Sequence, residues 1–250
     1  MSVRLLILGG TTEASALCAA LAGDATIDAT LSLAGRTKEP ALPAICTRIG
    51  GFGGATGLAA HLRGARIDAV IDATHPFAAR MSVNAAAACA EARVPLAVFS
   101  RAPWAPGQGD RWTDVPDMPS AAAALGDQPR RVFLTVGRLA LAAFAAHPRH
   151  HYLIRAIDAV DDLAAFPSHR LIRARGPFNV ADETALLRAE RIDCLVTKNS
   201  GGNATRAKLD AARALGLGVI MVARPPGSGA ERFERLADVL AWIERHRAPP

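Results

Sequence analysis

A glycine pair followed by two threonines and a glutamate, GGTTE at residues 9–13, is the first candidate for chemistry in this 250-residue chain. It follows an apolar run, residues 5–8, that predicts a strand covered by helices on both faces. Glycine permits a tight turn and threonine favours a helix N-cap, so a helix N-terminus that binds phosphate is predicted here. Because GGTTEA departs from the fingerprint G-x-G-x-x-G, a packing role for the glycines is the alternative.

Cationic residues follow the second predicted strand, residues 25–33. In a Rossmann-type unit an acidic residue at this position selects NAD. Here the position is occupied by Gly35, Arg36, Thr37 and Lys38, without an acid. A cationic tip suits a 2′-phosphate, so NADPH is the predicted cofactor, and a solvated basic turn is the alternative.

Two further segments of the first half follow predicted strands and carry polar side chains. Thr74, His75, Pro76 and Phe77 come after strand 66–73, and Ser100 comes after strand 95–99. The carboxyl ends of parallel strands are where open α/β sheets bind ligands. We expect His75 either to contact the nicotinamide side of a cofactor or to cap the next helix, and both interpretations stay open.

In the second half, the polar segment TKNSGG follows a strand that starts near residue 191 and opens a helix that carries Lys208. Its hydrogen-bond donors and the helix N-terminus suit carboxylates. The alternative is a structural turn with a solvated lysine. Three arginines at other predicted strand ends are expected to face the same ligand cleft as this segment: Arg138, Arg155 and Arg224.

Strand segments that begin at residues 130, 191 and 217 repeat those at 4, 66 and 94 in the same order, about 125 residues apart. We therefore predict an α/β protein of two Rossmann-like domains with mainly parallel sheets and a ligand cleft between them. The predicted domains are residues 1–117 and 118–250, with 105–117 as a connection that lacks periodicity.

Composition narrows the class of protein. The net charge is +6, but the basic residues are dispersed and aromatics are 5%, so nucleic acid is not an expected partner. No apolar run reaches the length of a membrane span, and a strand at the N-terminus is expected to leave no room for a secretory signal.

The cysteines and histidines do not predict a metal site. Cys18, Cys46, Cys89 and Cys194 lie far apart, as in a reduced, cytoplasmic protein. The cluster HPRHH at 147–151 is predicted to be an exposed loop and not a metal site.

Taken together, five separated motifs resemble the precorrin-6A reductase family of cobalamin biosynthesis. They are GGTTEA, AGR at 34–36, DATHPFA at 72–78, SRAPW at 100–104 and TKNSGG at 197–202. The resemblance spans residues 9 to about 226. It implies a two-domain Rossmann-like oxidoreductase that transfers hydride from NADPH to a ring double bond of a polycarboxylate tetrapyrrole, converting precorrin-6A to precorrin-6B. The family includes a form that acts on the cobalt-loaded substrate, and the sequence does not separate the two.

The resemblance also sorts the candidate residues. The cofactor side comprises Gly9, Gly10, Thr11, Thr12, Glu13, Gly35, Arg36, Thr37, Lys38, Thr74, His75, Pro76, Phe77 and Ser100. The substrate side comprises Arg138, Arg155, Lys198, Asn199, Ser200, Gly201, Gly202, Lys208 and Arg224. The proton donor stays open between His75, Lys198 and solvent. Transient contact with neighbouring pathway enzymes is a further expectation.

Three other functions fit the sequence less well. A short-chain dehydrogenase is disfavoured because the only tyrosine, Tyr152, is followed four residues later by Ala156 instead of the lysine that its chemistry needs. A tetrapyrrole methyltransferase would leave the cationic tip at Arg36 without a phosphate to bind. A non-catalytic NADPH-binding sensor explains the first half of the chain but leaves TKNSGG without a purpose.

Overall fold

The structure is a computed structural model that describes residues 2–35, 43–160 and 163–246. The chain divides into two compact units, of which unit 1 is Met1–Ala102 with Pro225–Pro250 and unit 2 is Pro103–Arg224. Both units alternate strands with helices around a parallel sheet, so the predicted α/β class is confirmed. Among the described residues, no helix is both long and apolar enough to cross a bilayer.

The described residues of unit 1 form six strands and four helices, numbered here in chain order. The strands are β1 (Val3–Leu8), β2 (Ile27–Leu33), β3 (Cys46–Ile49), β4 (Ala69–Asp72), β5 (Leu96–Phe99) and β12 (Glu231–Phe233). The helices are α1 (Thr12–Leu21), α2 (Gly54–Gly64), α3 (Ala79–Ala92) and α7 (Leu236–Arg245). The sheet order is β12-β5-β4-β1-β2-β3 with parallel pairing throughout, which is the doubly wound order of Rossmann folds.

Strand β1 lies at the centre of unit 1 because its apolar side chains are covered on both faces. Leu5 and Ile7 pack with Leu17 of α1 and Trp242 of α7. Residues of the opposite face pack with α2 and α3, through Leu6, Leu8, Leu58, Leu62 and Ala85. The prediction of a strand buried on both faces is confirmed.

Unit 2 repeats this architecture. Its strands are β6 (Arg111–Val115), β7 (Arg131–Leu134), β8 (His151–Ala156), β9 (His169–Arg173), β10 (Cys194–Lys198) and β11 (Gly218–Val222). Its helices are α4 (Met118–Ala123), a 3-10 helix (Arg138–Phe144), α5 (Val180–Ala189) and α6 (Ala207–Ala214). The sheet order is β6-β11-β10-β7-β8-β9, again parallel, so β7 takes the central place that β1 has in unit 1.

The unit boundaries differ from the predicted domains 1–117 and 118–250 because each sheet takes its sixth strand from an unexpected part of the chain. Strand β12 pairs with β5, and α7 buries Val239, Trp242 and Ile243 in the core of unit 1. Strand β6 pairs with β11 of unit 2, within the segment 105–117 that was predicted to be a connection. Only one of the five residues of β6 is buried, so its sequence lacks the periodicity of a core strand.

The histidine cluster also differs from the prediction of an exposed loop. His150 is fully buried at the start of β8 and packs edge-on against Tyr152, with 5.8 Å between ring centroids. Burial lowers the pKa of His150 below its ordinary value. The described residues contain no group of histidine, cysteine and acidic side chains arranged for a metal ion. Cys46 is exposed, whereas three free cysteines are buried: Cys18, Cys89 and Cys194.

Candidate functional site

The first part of the candidate site lies where β1 and β4 end side by side. The chain continues from β1 to β2 on one side and from β4 to β5 on the other, so this is the switch point at which doubly wound sheets bind ligands. Gly9 ends the strand in a crowded place, because a Cβ there would lie 2.4 Å from Leu31 Cδ1 and 3.0 Å from Ala14 Cβ. Gly10 then adopts a φ of +114°, which glycine tolerates best.

Thr11 joins this turn to the end of β4. Its hydroxyl accepts a hydrogen bond from the Ala14 amide at 3.2 Å, which caps α1 as predicted. The same hydroxyl donates to the Ala73 carbonyl at 2.7 Å. The first turn of α1 is thereby fixed at the switch point, with the positive end of the helix dipole at the carboxyl edge of the sheet.

Arg101 was missed by the sequence assignment, although it lies within the SRAPW motif. It follows β5, and its guanidinium contacts the Glu13 carboxylate at 2.6 Å. Glu13 lies in the first turn of α1, so this ion pair joins segments that follow the first and fifth strands. Ser100, immediately before it, is buried, and its amide donates to the Phe233 carbonyl at 3.0 Å.

Asp72 orients the segment that contains Thr74, His75, Pro76 and Phe77. Its buried carboxylate accepts hydrogen bonds from the Thr74 amide at 3.0 Å and hydroxyl at 2.6 Å, and from the Ser82 hydroxyl at 2.5 Å. His75 Nδ1 accepts from the Phe77 amide at 3.2 Å. The position of the segment is therefore fixed by an acid that the sequence motif contained but to which no role was assigned.

The cationic tip that follows β2 is only partly described. Gly35 has a φ of +70°, consistent with a turn directly after the strand. Arg36, Thr37 and Lys38 lie outside the described residues. Their proposed contact with a 2′-phosphate therefore stays a prediction from the sequence.

In unit 2, the segment Lys198–Gly202 follows β10, the strand that corresponds to β4. The Asn199 side chain accepts from the Trp104 amide at 2.7 Å and donates to the Trp104 carbonyl at 2.9 Å. Trp104 Nε1 donates to the Gly202 carbonyl at 2.8 Å. Trp104 was not predicted to take part, yet it holds both ends of this segment, and its place in SRAPW is the only signal in the sequence.

Arg224 holds the same segment from the end of β11. Its Nε donates to the Asn199 carbonyl at 2.9 Å, and an Nη donates to the Ser200 carbonyl at 3.0 Å. Gly201 and Gly202 both have positive φ values, +69° and +75°. The segment is thus a turn held by the Arg224 guanidinium and by its own backbone, since the Asn199 amide donates to the Val222 carbonyl at 2.9 Å and the Ser200 amide to the Lys198 carbonyl at 2.7 Å.

Lys208 is buried and the Arg155 side chain is only 8% exposed, so the predicted contact of these two residues with a ligand stays a prediction. Arg155 forms a bidentate ion pair with Glu183 at 3.0 and 2.6 Å, and its guanidinium lies 4.1 Å from the Phe178 ring centroid. Lys208 is 4% exposed and donates to the Thr205 carbonyl at 2.8 Å. These contacts favour a role beneath the segment for both residues, and neither Glu183 nor Phe178 was singled out from the sequence.

Arg138, the third arginine predicted at a strand end, is exposed directly after β7. Apolar side chains are exposed along the same carboxyl edge of unit 2: Leu139 (72%), Ile157 (56%) and Val180 (42%). The edge therefore combines hydrogen-bond donors with apolar surface, which suits a ligand that is flat and fringed with carboxylates.

A family model and several relatives of known name match this chain over almost its whole length. The family model described as "Precorrin-6x reductase CbiJ/CobK" matches residues 4–244. The precorrin-6A reductase of Rhodobacter capsulatus is 50% identical over 99% of this chain and 98% of its own. The corresponding protein of Rhodococcus erythropolis is 53% identical over 96% of this chain and 97% of its own.

One solved structure and one more distant relative are also similar to this chain. The structure titled "CobK precorrin-6A reductase" superposes with a TM-score of 0.92 at 49% identity, covering 99% of this chain and 98% of that one. The cobalt-precorrin-6A reductase of Priestia megaterium is 29% identical over 70% of this chain and 73% of its own.

Proposed function

The chain belongs to the precorrin-6x reductase family, and from that premise we propose that it reduces precorrin-6A to precorrin-6B with NADPH as the hydride donor. The family makes it an oxidoreductase acting on a CH–CH group in cobalamin biosynthesis. The observation that carries the assignment of the cofactor to unit 1 is the hydroxyl of Thr11, which caps α1 and binds the end of β4 at the switch point.

The cofactor fits unit 1 for three physical reasons. Gly9 lets the turn pack closely against Leu31 and Ala14, and the N-terminus of α1 offers amides and a positive dipole to a pyrophosphate. Arg101 adds a guanidinium next to the first turn of α1. The sequence after β2 has no acid where NAD would need one, and Arg36 there supports NADPH.

The substrate is assigned to the carboxyl edge of unit 2. Its turn at residues 198–202, with exposed Arg138 and apolar Leu139 nearby in the fold, matches a flat ring that bears carboxylates. The metal-free substrate is favoured because relatives named for it are 49–53% identical, whereas the relative from Priestia megaterium named for the cobalt form is 29% identical. Reduction of the cobalt-loaded ring is the alternative.

When bound, the nicotinamide supplies the hydride, and the protein contributes position and charge. The glycine turn and the N-terminus of α1, which Thr11 caps, would hold the phosphates, and Asp72 keeps Thr74 and His75 in place at the switch point. The carbon next to the hydride acceptor must gain a proton, for which His75, Lys198 and solvent remain the candidates. Cytoplasmic location and transient contact with neighbouring pathway enzymes also stay predictions.

Incubation of the purified full chain with NADPH and precorrin-6A tests the proposal. We expect the absorbance of the reduced nicotinamide to fall and a product with the mass of the dihydro compound to appear. A protein that binds NADPH without oxidising it in the presence of the tetrapyrrole would instead be the non-catalytic sensor. A parallel reaction with cobalt-loaded precorrin-6A compares kcat/KM for the two forms of the ring.

A further inference from the structure

Lys208 is a lysine enclosed beneath the proposed substrate turn. It is 4% exposed, its Nζ donates to the Thr205 carbonyl at 2.8 Å, and it lies 4.8 Å from the ring centroid of Trp104. A side chain in this position does not reach a ligand on the surface. Any effect of Lys208 on the substrate must therefore pass through the groups that cover it.

The groups that cover Lys208 are Trp104, which is bonded to the turn at residues 198–202, and Thr205, which follows this turn. Trp104 is hydrogen-bonded to Asn199 through its amide and carbonyl, and to the Gly202 carbonyl through Nε1. Thr205 follows in the same segment, just before α6. The Lys208 ammonium thus contacts Trp104, which holds the turn, and the Thr205 carbonyl, which lies just beyond the turn.

The charges around Lys208 do not balance when it is protonated. Arg155 on β8 and Glu183 on α5 are the charged groups that act on it most strongly. Both oxygens of the Glu183 carboxylate already accept from Arg155, at 3.0 and 2.6 Å. One carboxylate between two buried cations leaves an excess positive charge, which a low-dielectric interior disfavours.

The other charged groups on α6 are occupied elsewhere. Arg206 and Arg213 both pair with Asp210, and Arg213 also lies 3.9 Å from Asp110. Burial, assisted by Arg155 and opposed by Glu183, lowers the pKa of Lys208 to about 7. At mildly alkaline pH the lysine is therefore mainly neutral in the free protein.

We propose that Lys208 is a positioning residue that takes up a proton from solvent when a polycarboxylate tetrapyrrole binds the turn at residues 198–202. This rests on the proposed function. Carboxylates at the turn supply the negative charge that the buried cluster lacks, so the ammonium becomes favourable once they are bound. The Nζ lone pair accepts the proton, and no bond of the substrate changes in this step.

The linkage has a definite sign. Below the pKa of the free protein Lys208 is already charged, and binding takes up no proton. Above it, binding takes up as much as one proton, so the affinity for the tetrapyrrole falls as the pH rises, until the pKa of the complex is passed. The dissociation constant rises by up to about tenfold per pH unit in this window.

Calorimetric titration of the full chain with precorrin-6A, in phosphate and in Tris about one pH unit above the pKa of Lys208, measures the proton directly. The two buffers differ in heat of ionisation, so the difference in binding heat gives the number of protons taken up. We expect close to one. Binding with no uptake overturns this proposal and leaves the proposed function standing, whereas a wild-type protein that binds no tetrapyrrole overturns both.

Two variants test whether Lys208 is the group that takes up the proton. Lys208→Met is expected to abolish the uptake and flatten the pH dependence of tetrapyrrole affinity, without changing NADPH affinity. Arg213→Gln removes a cation from the same helix, away from the cluster, and is expected to retain the uptake. Uptake that persists in Lys208→Met overturns the assignment. If Lys208→Met does not fold, the uptake by the wild-type protein still decides between a linked proton and none.

Discussion

Arg101 and Glu13 are 88 residues apart in sequence, yet their side chains meet at 2.6 Å at the carboxyl edge of unit 1. Arg101 follows β5, and Glu13 lies in the first turn of α1, which follows β1. In the sheet, β4 lies between β5 and β1. The pair is only partly accessible, with 19% and 15% of the side chains exposed. It stabilises the edge at which we place the cofactor, and it brings a positive charge close to the amides of α1.

Replacement of Thr11 by valine tests the organisation of this edge. The variant keeps the shape of the side chain but loses the cap of α1 and the bond to Ala73, so we expect a loss of about 1 kcal/mol in the free energy of unfolding. NADPH affinity is expected to fall severalfold. Urea unfolding and a fluorescence titration with NADPH measure the two effects. Thr184→Val is the control, since the Thr184 hydroxyl donates to the Val180 carbonyl within α5 of unit 2, and an equal loss of NADPH affinity in both variants would contradict the role of Thr11.

Selectivity between the two nicotinamide cofactors tests the cationic tip. Arg36→Ala is expected to weaken NADPH about tenfold or more and to leave NADH almost unchanged, because only NADPH carries the extra phosphate. Dissociation constants for both cofactors give the comparison. Arg63→Ala is the matched control, because Arg63 lies at the far end of α2 in an exposed pair with Glu91. Equal weakening of NADPH and NADH by Arg36→Ala would remove Arg36 from the 2′-phosphate.

The turn of unit 2 is tested through Asn199. Asn199→Ala loses both hydrogen bonds to the Trp104 backbone, which loosens the turn although Arg224 and the Trp104 indole still contact its carbonyls. We expect KM for precorrin-6A to rise about tenfold, as the loss of about 1.4 kcal/mol in binding would produce, with NADPH affinity unchanged. Steady-state kinetics with each substrate varied in turn separate the two. A variant that lost NADPH affinity and kept its KM for the tetrapyrrole would mean that the roles of the two units are reversed.

The assignment of the C-terminal segment to unit 1 is tested through Trp242. This side chain is 3% exposed and packs in the core that contains Leu5 and Leu17. Trp242→Ala is expected to lower the free energy of unfolding by about 3–5 kcal/mol and to lower the melting temperature of unit 1, where we place NADPH. Thermal unfolding with and without NADPH measures this. A melting temperature of the variant equal to that of the wild-type protein would contradict the packing of Trp242 in the core of unit 1.

Much of this fold was predictable because buried strands and their turns have strong local patterns. The apolar run of β1, the glycines after it and the cap at Thr11 all follow from local sequence, and the repeat correctly identified β7, β10 and β11 as counterparts of β1, β4 and β5. The sixth strands were not predictable in the same way. β6 and β12 are short edge strands with few buried residues, and their partners are set by contacts distant in sequence.

The candidate site shows the same division. The turns after β1, β4 and β10 were identified because glycine, threonine and asparagine mark them locally. The residues that hold those turns were missed, since Trp104, Glu183 and Arg101 act on partners far along the chain. Sequence also does not report burial, so Lys208 was predicted as a ligand contact although the folded chain encloses it.

A crystal structure of the protein with NADP⁺ and a tetrapyrrole bound is the most direct test of the account. We expect the pyrophosphate to lie against Gly9, Gly10 and the first turn of α1, with the adenosine phosphate toward the segment after β2. The tetrapyrrole carboxylates are expected to lie against the turn at residues 198–202. Density for the nucleotide on the carboxyl edge of unit 2 would contradict the assignment of cofactor and substrate to the two units.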